Sequence, residues 1–252
     1  MKLERRAQIT ELIKKQKTVN NAELMERFGI SIETVRRDLD ALEKQGVLRK
    51  VYGGAVISIL LNSEPEFASR SQMNAPQKNA IAEAAAKLIE PGDAIFLGVG
   101  TTVQAMVQYM KHIPHLTVFT NALRVAIALS EIPDCTVILL GGQLRSDELT
   151  VSGFPAEETL AHFNIDKAFI GIGGVTEKGL TDFHTAEAQF HRRVVLNAKQ
   201  SIALADASKM GIRAMNNICS LEQISLIITD SHTRKQTVSR LKEAGARIVV
   251  AK

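Results

Sequence analysis

From residue 78 to residue 251 the chain alternates stretches of helical period with short apolar runs, and this alternation restricts the fold more than any other feature. Residues 78–89 are Ala-rich and helical, and Pro91-Gly92 turns them into an apolar strand at 93–99. A helix at 101–111, a strand at 116–120, a helix at 123–131 and a strand at 135–140 follow. Next come a helix at 155–162, a strand at 167–172, a helix at 186–199 and a strand at 201–205. Strands at 224–229 and 247–251 bracket a last helix at 234–244. Strands joined through helices return in the same direction, so the pattern predicts an α/β domain with a mostly parallel sheet covered on both faces.

The first fifth of the chain follows another pattern. Leu3, Ile9, Leu12 and Ile13 recur at helical spacing among Lys and Arg. Asn20 or Asn21 then offers an N-cap to a helix over 22–28 whose apolar stripe is Leu24, Met25 and Phe28. Gly29 turns the chain into Ser31, a second N-cap. The helix that follows buries Val35, Leu39 and Leu42, which lie at i, i+4 and i+7. Glu33, Arg37, Asp40 and Lys44 point the other way, with Thr34 and Arg36 on the flanks. Helix, short Gly turn, helix is the spacing of a helix-turn-helix. At the entrance of such a helix Ser31, Glu33, Thr34, Arg36 and Arg37 form a set able to meet phosphates and base edges in a major groove. Gly46 stops the helix. Two short apolar runs, 47–51 and 55–59, flank Tyr52-Gly53-Gly54 and predict a hairpin wing that places Arg49, Lys50 and Tyr52 for a backbone or minor-groove contact. The plainer alternative is an amphipathic helix with a solvated charged face and solubilising wing charges.

Charge separates the two patterns. Residues 1–54 hold 12 Lys and Arg against 8 Asp and Glu, and the other 198 residues hold 19 against 19, so the net charge of +4 sits wholly at the N-terminal end. A polyanion is attracted to that end only. With 4% aromatic residues and no Trp, the chain lacks the stacking platforms of single-strand binders, which favours double-stranded DNA. No apolar run reaches the length of a membrane span, and a cytoplasmic protein without membrane contact is expected. Cys135 and Cys219 lack metal or redox spacing and are expected to be inert thiols. His112 and His115 flank Pro114, and His184 and His191 lie seven apart without a third ligand, so neither a metal nor a cofactor is expected. Residues 58–76, broken by Pro65 and Pro76, are read as a linker, in which Ile59-Leu60-Leu61 is available for packing. The expected organisation is a DNA-binding domain at 1–57, that linker, and an α/β domain at 77–252.

In parallel sheets ligands bind beyond the carboxyl ends of the strands. Polar and glycine residues gather at those loops. Gly98, Gly100, Thr101 and Thr102 lie between a strand and a helix and are suited to a phosphate, although the full dinucleotide pattern and a P-loop Lys are both missing. Thr120 and Asn121, Gly141 and Gly142, Gly173 and Gly174, and Asp206 with Lys209 end four further strands. Each cluster alone is compatible with ordinary turn chemistry. Together on one edge they point to a phosphorylated small ligand.

GISIETVRRDLDALEKQGVLRKVYGGAV, centred in residues 1–57, resembles the DNA-binding domain of the DeoR family of bacterial repressors. The family signature has a Ser near the helix start, a Thr-(Val/Ile)-Arg-Arg-Asp-Leu core and a Gly-Gly in the wing, here Ser31, Thr34 to Leu39, and Gly53-Gly54. The resemblance implies that Arg36 and Arg37 face DNA and that Asp38 holds an Arg in place. Residues 75–252 resemble the same family's effector-sensing domain, which shares its fold with ribose-5-phosphate isomerase and CoA transferases. That likeness rests on GVGTT, Thr120-Asn121, Gly141-Gly142, AFIGIGG, Glu187 and ADASKMG. It implies a sugar phosphate or related metabolite as effector, held partly by Lys209. The chain departs from the family pattern in carrying Gly98 where many members have Asp and His191 where many have Lys. The expected function is a repressor of a carbohydrate operon, acting as a homodimer or homotetramer on operator DNA. The alternative is an isomerase-like enzyme that uses Asp206, Lys209 and Glu187, although no catalytic residue is assigned.

Overall fold

The computed structural model describes residues 2–16, 18–44, 47–57, 64 and 67–252, without the side chains at 2, 3, 14, 44, 49 and 57. The expectations for the Leu3, Lys44 and Arg49 side chains, the Gly46 stop, the wing beyond residue 57 and the Ile59-Leu60-Leu61 run lie outside the described residues. Contacts divide the chain into two compact units, Met1–Glu64 and Pro65–Lys252.

The first unit contains helices α1 (Lys2–Gln16), α2 (Asn21–Phe28) and α3 (Ile32–Lys44) with strands β1 (Thr18–Asn20), β2 (Leu48–Val51) and β3 (Gly54–Ile57). Asn20 caps α2 by accepting the Glu23 N–H at 2.7 Å, and Gly29, at φ 59°, closes the helix with its N–H on the Met25 carbonyl. Ile9, Ile13, Leu24 and Val35 are fully buried, and Leu39, Leu42, Leu48 and Ala55 complete one small core. The wing is three-stranded, ordered β1-β3-β2, where the sequence pattern indicated a two-stranded hairpin. Thr18–Asn20 escaped notice because three residues cannot display a period. Its docking explains the second wing glycine, since a Cβ on Gly54 would lie 2.0 Å from the Val19 carbonyl oxygen.

The second unit begins with α4 (Phe67–Gln72) and α5 (Ala75–Ala86). β4 (Ala94–Leu97), α6 (Thr101–Met106), β5 (Leu116–Thr120), α7 (Leu123–Leu129) and β6 (Cys135–Leu139) follow, then the hairpin of β7 (Gln143–Arg145) and β8 (Thr150–Ser152). After α8 (Phe154–Ala161) and β9 (Ile165–Gly171) a second hairpin, β10 (Gly174–Thr176) and β11 (Gly179–Asp182), leads to α9 (Thr185–Asn197). β12 (Ala198–Leu204), β13 (Asn216–Cys219), β14 (Leu226–Asp230), α10 (Lys235–Glu243) and β15 (Ile248–Ala251) complete the chain. Seven strands form one parallel sheet, ordered β15-β14-β12-β9-β4-β5-β6. Its strands point alternate residues to opposite faces. Phe96, Ala168, Ile170 and Ala203 join the core under α8 and α9, while Ile95, Leu97, Phe169, Ile202 and Leu204 join the core under α5 and α6. Among the described residues no helix is long and apolar enough to cross a membrane.

The span read as a linker contains a helix. Residues 67–72 form α4 because Phe67 and Arg70 are both buried, and six residues are too few to reveal a period in sequence. Helix α6 ends at Met106, where the expected helix ran to 111, and a single 3-10 turn over Val107–Tyr109 follows it.

Gly54→Ala is expected to destabilise the first unit by about 1–3 kcal/mol through the forced separation of β3 from β1. A lowered urea midpoint checks this, and an unchanged one contradicts the packing of β3 on β1.

Candidate nucleic-acid interface and ligand site

On α3, Val35, Leu39 and Leu42 anchor one side in the core while Glu33, Arg36, Arg37 and Asp40 are exposed and Thr34 is half-buried. Ser31 starts the helix, its hydroxyl 3.4 Å from the Thr34 N–H and 3.2 Å from the Thr34 hydroxyl. Asp38 lies on the buried side, 1% exposed, and takes two guanidinium groups from α1. Arg5 Nε donates to Oδ2 at 2.7 Å and Arg6 Nε to Oδ1 at 2.8 Å. Arg36 and Arg37 are not its partners. The paired carboxylate is fully satisfied and fixes α1 against α3, and losing either side would strand a buried charge.

In the wing, the Lys50 N–H donates to Glu43 Oε1 at 2.7 Å, and its ammonium is paired with Asp40 of α3. Part of the charge expected to face DNA is therefore spent holding the wing to the helix, in an exposed pair that adds little stability. Tyr52 is 77% exposed at the wing turn.

In the second unit, most of the groups singled out in sequence end or follow the parallel strands β4, β5, β6, β9 and β12, whereas Glu187 and His191 lie on α9 after the antiparallel β10–β11 hairpin, and they do different work. Thr120 is fully buried and structural: its hydroxyl donates to the Leu97 carbonyl at 2.7 Å and accepts the Ala122 N–H at 3.1 Å. Gly173 and Gly174 are packing glycines, since a Cβ on the first would meet the Phe183 ring at 2.9 Å and on the second the Ile212 carbonyl oxygen at 2.3 Å. Gly142 similarly admits Ser152 of the β7–β8 hairpin, and Gly141 beside it is exposed. Gly100 precedes α6 against Gly171, leaving Thr101 and Thr102 in the first helical turn. Asp206 caps the turn after β12 by accepting the Ser208 N–H at 2.8 Å, with the Asn74 amide at 3.4 Å. Lys209 Nζ lies 5.9 Å from the centre of the Phe183 ring.

Glu187 and His191 carry the least satisfied chemistry. They are one turn apart on α9, 2% and 0% exposed. Glu187 Oε1 accepts the Thr150 hydroxyl at 2.6 Å and faces Arg145 at 3.5 Å, and Oε2 has no hydrogen-bond partner among the described residues. Both ring nitrogens of His191 lack a partner among the described residues, and Nδ1 is 4.0 Å from Asp182 Oδ2. A Cβ at Gly98 would lie 3.2 Å from His191 Nε2, so the two positions at which the chain departs from the family pattern are neighbours in space. Burial pushes the imidazole below its usual range, and the charge of Glu187 pulls weakly the other way.

Sequence reasoning missed the β7–β8 hairpin and with it Arg145, Glu148 and Thr150. It also missed Arg70 and Phe67 of α4 and Arg124 of α7. Glu148 is 4% exposed and bonded to Arg70, and its Oε2 has no partner among the described residues. The one available signal was the dense charge of Arg145, Asp147 and Glu148 between two short runs of strand type. Among the described residues no three His, Cys, Asp or Glu side chains are grouped to hold a metal. Burial, with the charge of Asp134 beside it, raises the Cys135 thiol pKa, and burial pushes that of Cys219 up to about 12, which disfavours the reactive thiolate at both.

His191 is held neutral in the fold, so its contribution to stability is full above the unfolded pKa of about 6.5 and is lost as pH falls below it. His191→Gln is therefore expected to shrink the drop in urea midpoint between about pH 7.5 and about pH 5. An equal drop in both proteins contradicts a neutral buried ring.

With this geometry in place, two family profiles match the chain: a DeoR-like helix-turn-helix domain over residues 5–59 and a DeoR C terminal sensor domain over residues 73–231. A putative aga operon transcriptional repressor of Escherichia coli is 32% identical over 250 residues, covering 98% of this chain and 93% of that protein. The glycerol-3-phosphate regulon repressor of Escherichia coli is 32% identical over 224 residues, covering 88% of each. Ribose 5-phosphate isomerase A of Methanocaldococcus jannaschii aligns over 54% of each chain, at 19% identity and a TM-score of 0.41.

Proposed function

The chain belongs to the DeoR family of transcriptional regulators, and from that premise we propose that it represses a carbohydrate operon and releases its operator in response to a phosphorylated sugar. The observation that carries this reading is the face of α3. Glu33, Arg36 and Arg37 stand exposed on a helix whose back is locked by Asp38, within residues 1–54, which hold all the excess positive charge. A braced helix keeps its side chains in register with base edges, which flexible charge does not achieve. Ser31, Thr34 and Tyr52 flank that face, and Lys50 contributes with its charge shared with Asp40.

The effector is proposed to bind at the carboxyl edge of the parallel sheet. Its phosphate sits near Gly98, Gly100, Thr101 and Thr102, and its sugar reaches Asn121, Glu187 and His191. Glu187 and His191 support this because each is buried with a polar atom that has no hydrogen-bond partner among the described residues, an arrangement that costs stability unless a ligand supplies the bond. Asp206 and Lys209 stand at the same edge. The protein binds this ligand without converting it, acts as a homodimer or homotetramer so that paired α3 helices meet symmetric half-sites, and works in the cytoplasm where the operator lies.

Arg37→Ala is expected to weaken binding to a duplex enriched from a random pool by about 1–3 kcal/mol while leaving ligand affinity unchanged. An unaltered gel shift at moderate salt contradicts the interface. In a thermal-shift screen of hexose phosphates and glycerol 3-phosphate at about 100 times Kd, the effector is expected to stabilise the native state by about 2.7 kcal/mol. No shift beyond that of inorganic phosphate contradicts the sensor reading, and turnover of any of these compounds contradicts the claim of binding alone.

A further inference from the structure

Two carboxylates are buried on either side of one guanidinium. Arg145 places its two terminal nitrogens 3.6 Å from Glu148 Oε1 and 3.5 Å from Glu187 Oε1. Each Oε1 is further occupied, by Arg70 for Glu148 and by the Thr150 hydroxyl for Glu187. Each Oε2 is buried without a hydrogen-bond partner among the described residues. Asn121 is in the same state: its amide nitrogen donates to the Val151 carbonyl at 3.1 Å, and its Oδ1 has no partner among the described residues. The chain thus gathers three unfilled acceptors around Thr150 and Val151 of β8. One unfilled donor is nearby, Arg124 Nε, whose guanidinium lies 4.5 Å from the centre of the Phe67 ring that Arg70 also covers.

The charges of this set select the ligand chemistry. Arg145 is shared by Asp147, Glu148 and Glu187, Arg70 holds Glu148, and Arg124 adds a third guanidinium, so the three carboxylates and three cations of the set balance, and an added carboxylate or ammonium would upset that balance in a low-dielectric site. Neutral hydroxyls fit, because each can donate to a carboxylate oxygen and accept from a guanidinium. We propose that Glu148 reads the hydroxyls of a polyhydroxylated phosphate ester, which donate to its Oε2 and to Glu187 Oε2, and that Glu148 relays occupancy to helix α4 through Arg70. The relay follows from the attachments of α4. It is the first described helix of the second unit, it is held by Arg70 on Glu148 and by the rings and cations around Phe67, and the Lys78 ammonium donates to the Arg70 carbonyl. A ligand that competes for the electron density of Glu148 changes the hold on Arg70, and whatever shifts α4 shifts ligand affinity by the same factor.

This inference rests on the sensor reading above, and the test separates the two. The full-length protein is titrated with glucose 6-phosphate, fructose 6-phosphate, fructose 1-phosphate, galactose 6-phosphate and glycerol 3-phosphate, with inorganic phosphate as the control that lacks the sugar hydroxyls. Glu148→Gln is expected to weaken the tightest of these by about 10- to 100-fold, the worth of a hydrogen bond to a charged group, without weakening inorganic phosphate. If Glu148→Gln fails to fold, Glu148→Asp, which withdraws the carboxylate by one methylene, carries the same comparison. Undiminished affinity in the variant overturns the assignment of Glu148 and leaves the sensor reading standing, whereas no binding by the wild type beyond inorganic phosphate overturns both. Hydrogen exchange then tests the relay. The amides of Phe67–Gln72 are expected to change protection on adding the sugar phosphate in the wild type and to lose that response in Arg70→Gln, and an identical response in both overturns the relay.

Discussion

Charge buried inside the protein is what the rest of this structure answers to. A carboxylate removed from water is tolerated only when cations and donors surround it, and among the carboxylates this chain buries, Asp38 on one hand and Glu148 with Glu187 on the other show opposite outcomes. At Asp38 the compensation is complete, with both oxygens occupied by guanidinium groups of α1. At Glu148 and Glu187 it stops halfway among the described residues, with one oxygen of each occupied and the other not. The first arrangement makes a rigid element. The second makes a site whose bonding capacity is open to a ligand with hydroxyl donors.

This contrast gives the two units their different work. The first unit is small, and Asp38 ties its first helix to its third across 32 and 33 positions of sequence, so the exposed face of α3 is held by more than its own apolar stripe. The second unit draws its stability from two cores on opposite faces of a seven-stranded parallel sheet, with Phe96 and Phe190 packed edge to face at 5.8 Å in one of them. That margin lets it carry His191, whose ring nitrogens have no hydrogen-bond partner among the described residues, and two carboxylates half-filled among those residues.

The sequence displayed those features that repeat. Val35, Leu39 and Leu42 announce the buried face of α3, and the succession of apolar runs from Ala94 to Ala251 announces the parallel sheet. Features made by two distant segments were hidden. Asp38 is charged, and a helical wheel offers no reason to bury it until Arg5 and Arg6 are known to meet it. Helix α4 and strands β1, β7 and β8 span six or three residues each, too short for any period, so Arg70, Arg145, Glu148 and Thr150 escaped notice as a group. Glycine was the least discriminating signal. Gly173 and Gly174 follow a strand as ligand-binding glycines do, yet close contacts with Phe183 and Ile212 explain them. Gly98 and His191 read as two separate departures from the family pattern, and only the fold makes them one, because the missing Cβ at 98 leaves room for the imidazole.

A metabolite bound beside Glu187 that governs DNA binding must be thermodynamically coupled to the operator, and coupling is reciprocal. The most direct test is a pair of titrations on the full chain. The Kd for a duplex enriched from a random pool is measured with and without a saturating sugar phosphate, and the Kd for that sugar phosphate is measured with and without saturating duplex. Both constants are expected to change by one common factor, of about 5 to 150. If neither constant moves although both ligands bind, the two units act independently and the metabolite does not regulate DNA binding.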